Sequence, residues 1–459
     1  MLPWTLSQVI ERAEEGPVSS EKDFDLRILA PKLNEVVKEY DIHFDREQII
    51  PSDDSLADDL WKAAFELYLE VGTFCITSSR RILFREDEIK EALAHATSHI
   101  SVGCGRDARD MYHRDVEDER RPFASLGPMG QSCDEELFVP ISMAYMQEPI
   151  ADGMTAPMLE RINGIAIKAG APSEVVGAVA HAMMLREAAR RVGRPGMFVM
   201  SVATAATDGA QIAASNPEWG ERVSDGRFVG ALAELKVDYS LLRKAVHFHQ
   251  YGCFVSTLSG PIVGGYTGTE GAAVLGVAYH LQGLLVSQSH LTCSFPIHMK
   301  HSCTTAPETL WSTGLVEQAV ARNSKLISFT KGKAAAGPCT DMVLHEAAAQ
   351  GLIGTVSGGN LYMIAAARDR QKERFTPMEA KTAAEVGQAA ADMRLKRSDA
   401  NEIAKKIISK YEGNLENAPL GEKFQECYDI HKLRPTPKHV EVYDKVKAEL
   451  RDLGLEFSY

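Results

Sequence analysis

Between Gly103 and about Gln371, short apolar runs alternate with helical segments, and Gly and Ala become frequent. This alternation limits the folds open to the chain more than any other feature. Residues 123–127, 150–155, 197–202, 232–238, 253–258, 291–294, 326–330 and 354–357 read as strands. Short apolar runs bounded by turn residues suit strands buried on both faces. Between most of them lie helical patterns. The segment 173–192 places Val175, Val179, Ala182 and Met183 on one face and stops at Gly193. The segment 270–287 is apolar almost all round, as a well-buried helix requires, and Pro307 and Glu308 open another helix. Eight alternating pairs in roughly 250 residues is the arithmetic of a (β/α)8 barrel. The same count fits an open, doubly wound sheet.

Helical segments flank this section. On the amino-terminal side, "EKDFDLRILAPKLNEVVKEY", "SLADDLWKAAFELYLEVG" and "REDEIKEALAHATSHI" carry apolar residues at helical spacing. On the carboxyl side, "TPMEAKTAAEVGQAAADM" and "SDANEIAKKIISKYEG" are good helix formers, with Thr376 and Ser398 as expected N-caps. The expected division is a helical extension over 1–102, the α/β section over 103–372 and a second helical extension over 373–459.

Composition narrows the function. The chain has 459 residues, 45% hydrophobic and 25% charged, with a formal net charge of -13. That charge disfavours nucleic acid and anionic membrane surfaces as partners. No apolar run approaches the roughly 18 residues of a spanning helix, and "MLPWTLSQVIERAEEG" lacks the pattern of a secretory signal. Eight scattered cysteines read as reduced thiols, so the expected location is the cytoplasm.

In a barrel, chemistry belongs at the carboxyl ends of the strands. Two segments there carry reactive side chains. "SHLTCSFPIHMKHSC" offers Cys293, His298, His301 and Cys303, donors that zinc accepts, but at a spacing that matches no standard site. "ISFTKGKAAAGPCTDM" ends a strand in Lys331 and Lys333, which suit a carboxylate or phosphate and equally a solvated loop. "SVGCGRDA" reads as a turn leaving a helix, not as a nucleotide site. No Walker loop or nucleophile elbow is present. Met200 closes the strand after "GRPGM", where a strand opens into its loop.

In this order and spacing, "GRPGMFVM", "ELKVDYS", "GPIVGGY", "FPIHMKHSCTTAPETL", "AAAGPCTDM" and "KFQECYDI" resemble the monomethylamine methyltransferases of methanogens, as do "FCITSSRRILFREDEI" and "GCGRDA" nearer the start. The resemblance implies a (β/α)8 barrel with helical extensions, assembled as a homo-oligomer, a hexamer. It implies methyl transfer to the Co(I) of a separate corrinoid protein docking over the barrel mouth. The cobalamin is then supplied by that partner, and this chain holds no tightly bound cofactor. The family's pyrrolysine position matches Met200. Two acidic pocket residues of the family match Phe228 and Leu258, and a glutamine and a tyrosine match Lys331 and Lys333. A thioether has no electrophilic imine, so the resemblance and its departures together imply a donor other than monomethylamine. An apolar cage of Phe198, Met200 and Phe228 suits a quaternary ammonium, and a lysine beyond it suits a carboxylate. Two further readings stay open: a metal-assisted demethylase of an ether or thiol using the His/Cys cluster, and a non-catalytic homologue that binds the corrinoid protein.

Overall fold

A computed structural model describes residues 6–128, 130–200, 202–265 and 268–458. Eight strands form one parallel sheet: β1 (Ala124–Leu126), β2 (Gly153–Met154), β3 (Phe198–Val199), β4 (Gly226–Gly230), β5 (Phe254–Ser259), β6 (Leu291–Ser294), β7 (Ile327–Lys333) and β8 (Asn360–Ala365). The order β3-β2-β1-β8-β7-β6-β5-β4 follows the chain around a ring. Its two ends meet in a parallel bridge between Met200 and Gly226. The sheet is therefore a (β/α)8 barrel and not a doubly wound sheet.

A helix follows every strand: α1 (Glu135–Met146), α2 (Pro172–Arg191), α3 (Asp208–Ala214), α4 (Tyr239–Tyr251), α5 (Thr269–Leu285), α6 (Pro307–Asn323), α7 (Asp341–Val356) and α8 (Pro377–Asp392). α5, α6 and α7 are buried almost all round, because further helices cover their outer faces. Asp54–Val71 of the amino-terminal extension packs on α5 and α6. Arg397–Ser409 and Pro437–Asp452 of the carboxyl extension pack on α7. A hairpin of His99–Val102 and Arg109–Tyr112 sends Ile100, Val102 and Met111 into the amino end of the barrel, against Phe123, Phe198 and Ile327. The "SVGCGRDA" turn thus leaves a strand, not a helix.

Two expected strands are corrected. Residues 232–238 are not in the barrel; Lys236–Val237 pairs with Thr73–Cys75 in a small outer sheet. The fourth strand is "GRFVG", disguised by glycines at both ends and by Arg227, which is fully buried. Residues 354–357 are the last turn of α7 and its cap, and "NLYMIA" is the eighth strand. A buried helix has no polar face, so a short piece of it cannot be told from a buried strand by periodicity.

Helix faces also differ from expectation. α2 buries Gly177, Ala178, His181, Ala182, Leu185 and Ala188, while Val175 and Met183 are 40% and 51% exposed. At Gly177 a small residue is needed because a Cβ would crowd the Ile167 side chain. Thr376 caps α8 as expected, accepting from the Met378 amide at 3.2 Å, with Glu379 accepting from the Thr376 amide at 3.0 Å. Ser398 is no cap, since its helix starts one residue earlier, at Arg397. α8 packs on α7, β8 and β1. It therefore closes the barrel layer beyond residue 372, and we place that boundary after Asp392.

The α7–α8 contact depends on a glycine. A Cβ on Gly351 would overlap the Ala383 carbonyl, and backbone cannot move aside as a flexible side chain does. Gly351→Ala should cost about 1–3 kcal/mol through overpacking, despite the better helix propensity of alanine. Chemical denaturation checks this; an unchanged midpoint would show that the two helices can separate freely.

Candidate active site at the barrel mouth

Alternate residues on each strand point into the barrel. Phe198 and Met200 from the β3 end, Phe228 from β4, Cys293 from β6, Phe329 from β7 and Tyr362 from β8 form one buried cluster, with Leu258 and Phe295 packed against it. Met200 is 1% exposed. Its thioether fits because residue 226 is glycine; a Cβ there would overlap Met200 Sδ and Phe198 Cζ. Phe228 and Phe329 both stand edge-on to Tyr362, with ring centroids 5.6 and 5.7 Å away. The Tyr362 hydroxyl is 2.5 Å from Thr155 Oγ1, and burial holds its pKa well above the ordinary phenol value. The interior is therefore apolar and aromatic, and no cluster member is an acid or a base near neutral pH.

Charge gathers at the carboxyl end of β7. Lys331 Nζ lies 4.7 Å from the centre of the Phe295 ring and 3.6 Å from Asp369 Oδ2. Lys333 has no ion pair of its own among the described residues, and burial lowers its pKa. Residues two apart on a strand share a face, so Lys331 and Lys333 both act on the carboxylate of Asp369. Asp369 comes from the turn after β8, where Ala367, Arg368 and Asp369 all have positive φ. Backbone strain of this kind persists only where the surroundings impose it. Here Arg368 donates to the His301 and Leu415 carbonyls at 3.1 and 2.7 Å, and Gly130 leaves room for the Asp369 carboxylate. Burial raises the Asp369 pKa, and the two lysines oppose that shift. Two ammonium groups thus share one carboxylate.

The His/Cys candidates do not assemble. The His298 and His301 rings are tilted at 35° with centroids 4.5 Å apart, and the His301 amide donates to His298 Nδ1. Cys293 lies in the barrel interior, whereas Cys303 belongs to the core outside it. No three of these four residues offer donor atoms close enough to share an ion. Sequence spacing brought them near along the chain, but strand and loop send the two thiols to different layers.

The family model described as "Monomethylamine methyltransferase MtmB" matches residues 5–455. The chain belongs to the MtmB family. MtmB of Methanosarcina mazei and MtmB1 of Methanosarcina acetivorans are each 32% identical over 449 residues, covering 97% of both chains. Crystal structures of Methanosarcina barkeri MtmB and of a hydroxylamine MtmB complex superpose with TM-scores of 0.95 at 31% identity, covering 98% of both chains. The MtmB proteins are methyltransferases, and so is this chain. No helix among the described residues is long and apolar enough to cross a membrane.

Thr155 stands at a strand end that the sequence marks, whereas Asp369, Tyr362 and Phe295 carry no such mark. The eighth strand is Asn360–Ala365 and not 354–357, so its carboxyl end is the turn that holds Asp369. Also unmarked are two buried acids that brace the MtmB scaffold. Glu346 accepts from the Ala335 and Ala336 amides at 2.7 and 2.9 Å and from Thr305 Oγ1 at 2.5 Å, fixing the loop that follows Lys333. Glu317, on α6, accepts from Ser328 Oγ at 3.0 Å, and burial pushes its pKa up to about 8.

The Glu317 shift has a definite sign. Its folded pKa lies above the unfolded one, so between about pH 4.5 and 8 the folded state keeps a proton that the unfolded state has lost. Stability attributable to this group therefore falls as pH rises, by roughly 1.4 kcal/mol per pH unit at most. Glu317→Gln removes that slope. The variant should match the parent near pH 5 and be the more stable protein near pH 8.5 in urea melts. A difference independent of pH would contradict a neutral Glu317 at pH 7.

Proposed function

We propose that this chain transfers a methyl group from a small, carboxylated N-methyl donor, and not from monomethylamine, to Co(I) of a separate corrinoid protein. The observation that carries the reading is the charge at the mouth: among the described residues, Asp369 is the one carboxylate that Lys331 and Lys333 share, beside an aromatic, apolar interior. A methylammonium ion would meet uncompensated positive charge there. A donor with a carboxylate would supply the missing negative charge.

The partner's Co(I) supplies the nucleophile. The carbon–nitrogen bond breaks as the methyl group leaves, and its electron pair stays on nitrogen. With a quaternary donor the departing amine is neutral and takes up no proton. That suits an interior whose cluster holds no acid. Phe228, Tyr362 and Met200 are proposed to surround the cationic head, through ring faces and a polarizable sulfur. Lys333 is proposed to hold the carboxylate, which aims the methyl group outward. Met200 then stands at the family's pyrrolysine position as a wall and not as a reactive group. Assembly into an oligomer belongs to the same proposal.

The two lysines separate in a test. Lys333→Ala should weaken a carboxylated donor about 10- to 100-fold, the equivalent of one charge-assisted hydrogen bond of roughly 1.5–3 kcal/mol. A decarboxylated analogue should be unaffected. Lys331→Ala leaves Asp369 without its 3.6 Å partner, so it should impair both donors. Steady-state kinetics of each variant with each donor checks this. Equal losses for both donors in Lys333→Ala, or no loss, would reject the carboxylate anchor.

A further inference from the structure

A second cluster lies in the region where the β7–α7 loop meets the carboxyl extension. Cys339 Sγ, Cys427 Sγ and an imidazole nitrogen of His439 all lie within 4.8 Å of one another. The three residues come from separate elements: the loop before α7, the short helix Phe424–Cys427, and the first turn of Pro437–Asp452. We propose that Cys339, Cys427 and His439 bind one zinc ion, which clasps the β7–α7 loop to the carboxyl extension. This site shares no residue with the mouth and does not depend on the identity of the methyl donor.

Several independent features fit a metal. His439 is fully buried, and its Nδ1 has no hydrogen-bond partner, an unusual state for a buried polar atom. Its other nitrogen, Nε2, is 3.1 Å from Thr376 Oγ1, and that hydroxyl donates to Glu379 at 2.7 Å. Nε2 is then the protonated nitrogen, and the bare lone pair of Nδ1 is the one available to coordinate. Such a relay from a carboxylate to a ligating imidazole is the usual support of a metal-bound histidine. Cys339 adopts φ +61°, a conformation a non-glycine residue rarely accepts without a reason. It also immediately precedes the cap of a sixteen-residue helix, whose amino end favours a thiolate.

Charge balance favours zinc over a harder cation. Two thiolates, one neutral imidazole and Zn²⁺ sum to zero, so the loaded site can be buried without the penalty of a net charge. Without an ion, burial raises both thiol pKa values and lowers that of His439 to about 4. Binding therefore releases two protons from sulfur and none from the imidazole. Tetrahedral zinc–ligand bonds of about 2.0–2.3 Å place donor atoms nearer together than 4.8 Å, so modest side-chain movement closes the shell. Cys339, 8% exposed, is the ligand nearest solvent, with Glu422 and Lys438 close by, so water is the neutral fourth ligand that keeps this balance.

The mechanical role follows from the loop. Gly337 donates to the Pro419 carbonyl at 2.9 Å, and Glu422 donates to the Pro338 carbonyl at 3.0 Å, so the loop and the extension already touch. A zinc ion would fix that contact covalently in all but name, only a few residues beyond Lys333. The ligands lie in three distant segments, so no spacing along the chain marks them.

The full-length protein, purified anaerobically from zinc-replete cells, should carry about one zinc per chain by mass spectrometry of the metal. After chelation, Co²⁺ should restore one equivalent and show thiolate-to-cobalt charge-transfer absorption with intense tetrahedral bands. Cys339→Ser, the mildest change because this residue is nearest the surface, should lose most of the charge-transfer intensity while circular dichroism shows a folded protein. Cys75→Ser, at a buried thiol outside the cluster, should keep it. Less than about a tenth of an equivalent of zinc together with no thiolate–cobalt absorption would overturn the proposal. A disulfide between Cys339 and Cys427 in the anaerobically purified protein would overturn it too.

Discussion

Among the described residues, the barrel closes through one residue pair. β3 is two residues long, and the bridge from Met200 to Gly226 joins it to β4. Closure at so short a strand works because glycine lets the Met200 and Phe198 side chains occupy the space beside residue 226. A larger residue there would push both side chains into the interior or open the seam. Everything at the mouth is referred to this seam. Phe228 lies two residues beyond Gly226 on β4, and its ring meets Tyr362 from the opposite side of the barrel. Met200 is therefore a structural part of the ring as well as part of the proposed pocket wall. Its 1% exposure places it within packed side chains, and a thioether adapts to such a gap better than a branched side chain does.

Chemistry at the mouth follows from how charge is distributed around that apolar interior. Asp369 is held by a strained turn at a cost, and burial disfavours its charged form. Lys331 compensates it most directly, while Lys333 lies close by with no ion pair of its own among the described residues. An unpaired, half-buried ammonium is itself unfavourable, and an anionic ligand would relieve it. The same residues would be a poor host for a small cation lacking an anionic group. The proposed choice of donor thus depends on electrostatics at a few residues, set on a scaffold whose family is established over nearly the whole chain.

Much of the scaffold was legible because burial leaves a plain mark. "MFVM" between Gly193 and the next loop, "LTCS" and "LISFT" are apolar enough to be read as strands directly, and the α5 segment is apolar enough to be read as an enclosed helix. Illegible elements had the opposite character. "GRFVG" hides a central strand behind glycines and an arginine whose partner, Glu221, is also buried. In α2 Val175 and Met183 face outward, while glycine, alanine, His181 and Leu185 make the buried face. Lys331 and Lys333 were visible at the end of an apolar run, but Asp369 lies on a different strand's turn and only the fold brings it near. The Cys339, Cys427 and His439 cluster was invisible for the same reason.

The central claim is the proposal that the barrel mouth selects a carboxylated methyl donor. The most direct measurement mixes the purified chain with its cognate corrinoid protein in the Co(I) state and follows methylation of the corrinoid by absorbance. Monomethylamine and a series of carboxylated and uncharged N-methyl compounds would be compared in the same assay. The account predicts turnover with a carboxylated quaternary donor and none with monomethylamine. Turnover of monomethylamine, with no response to any carboxylated donor, would contradict it.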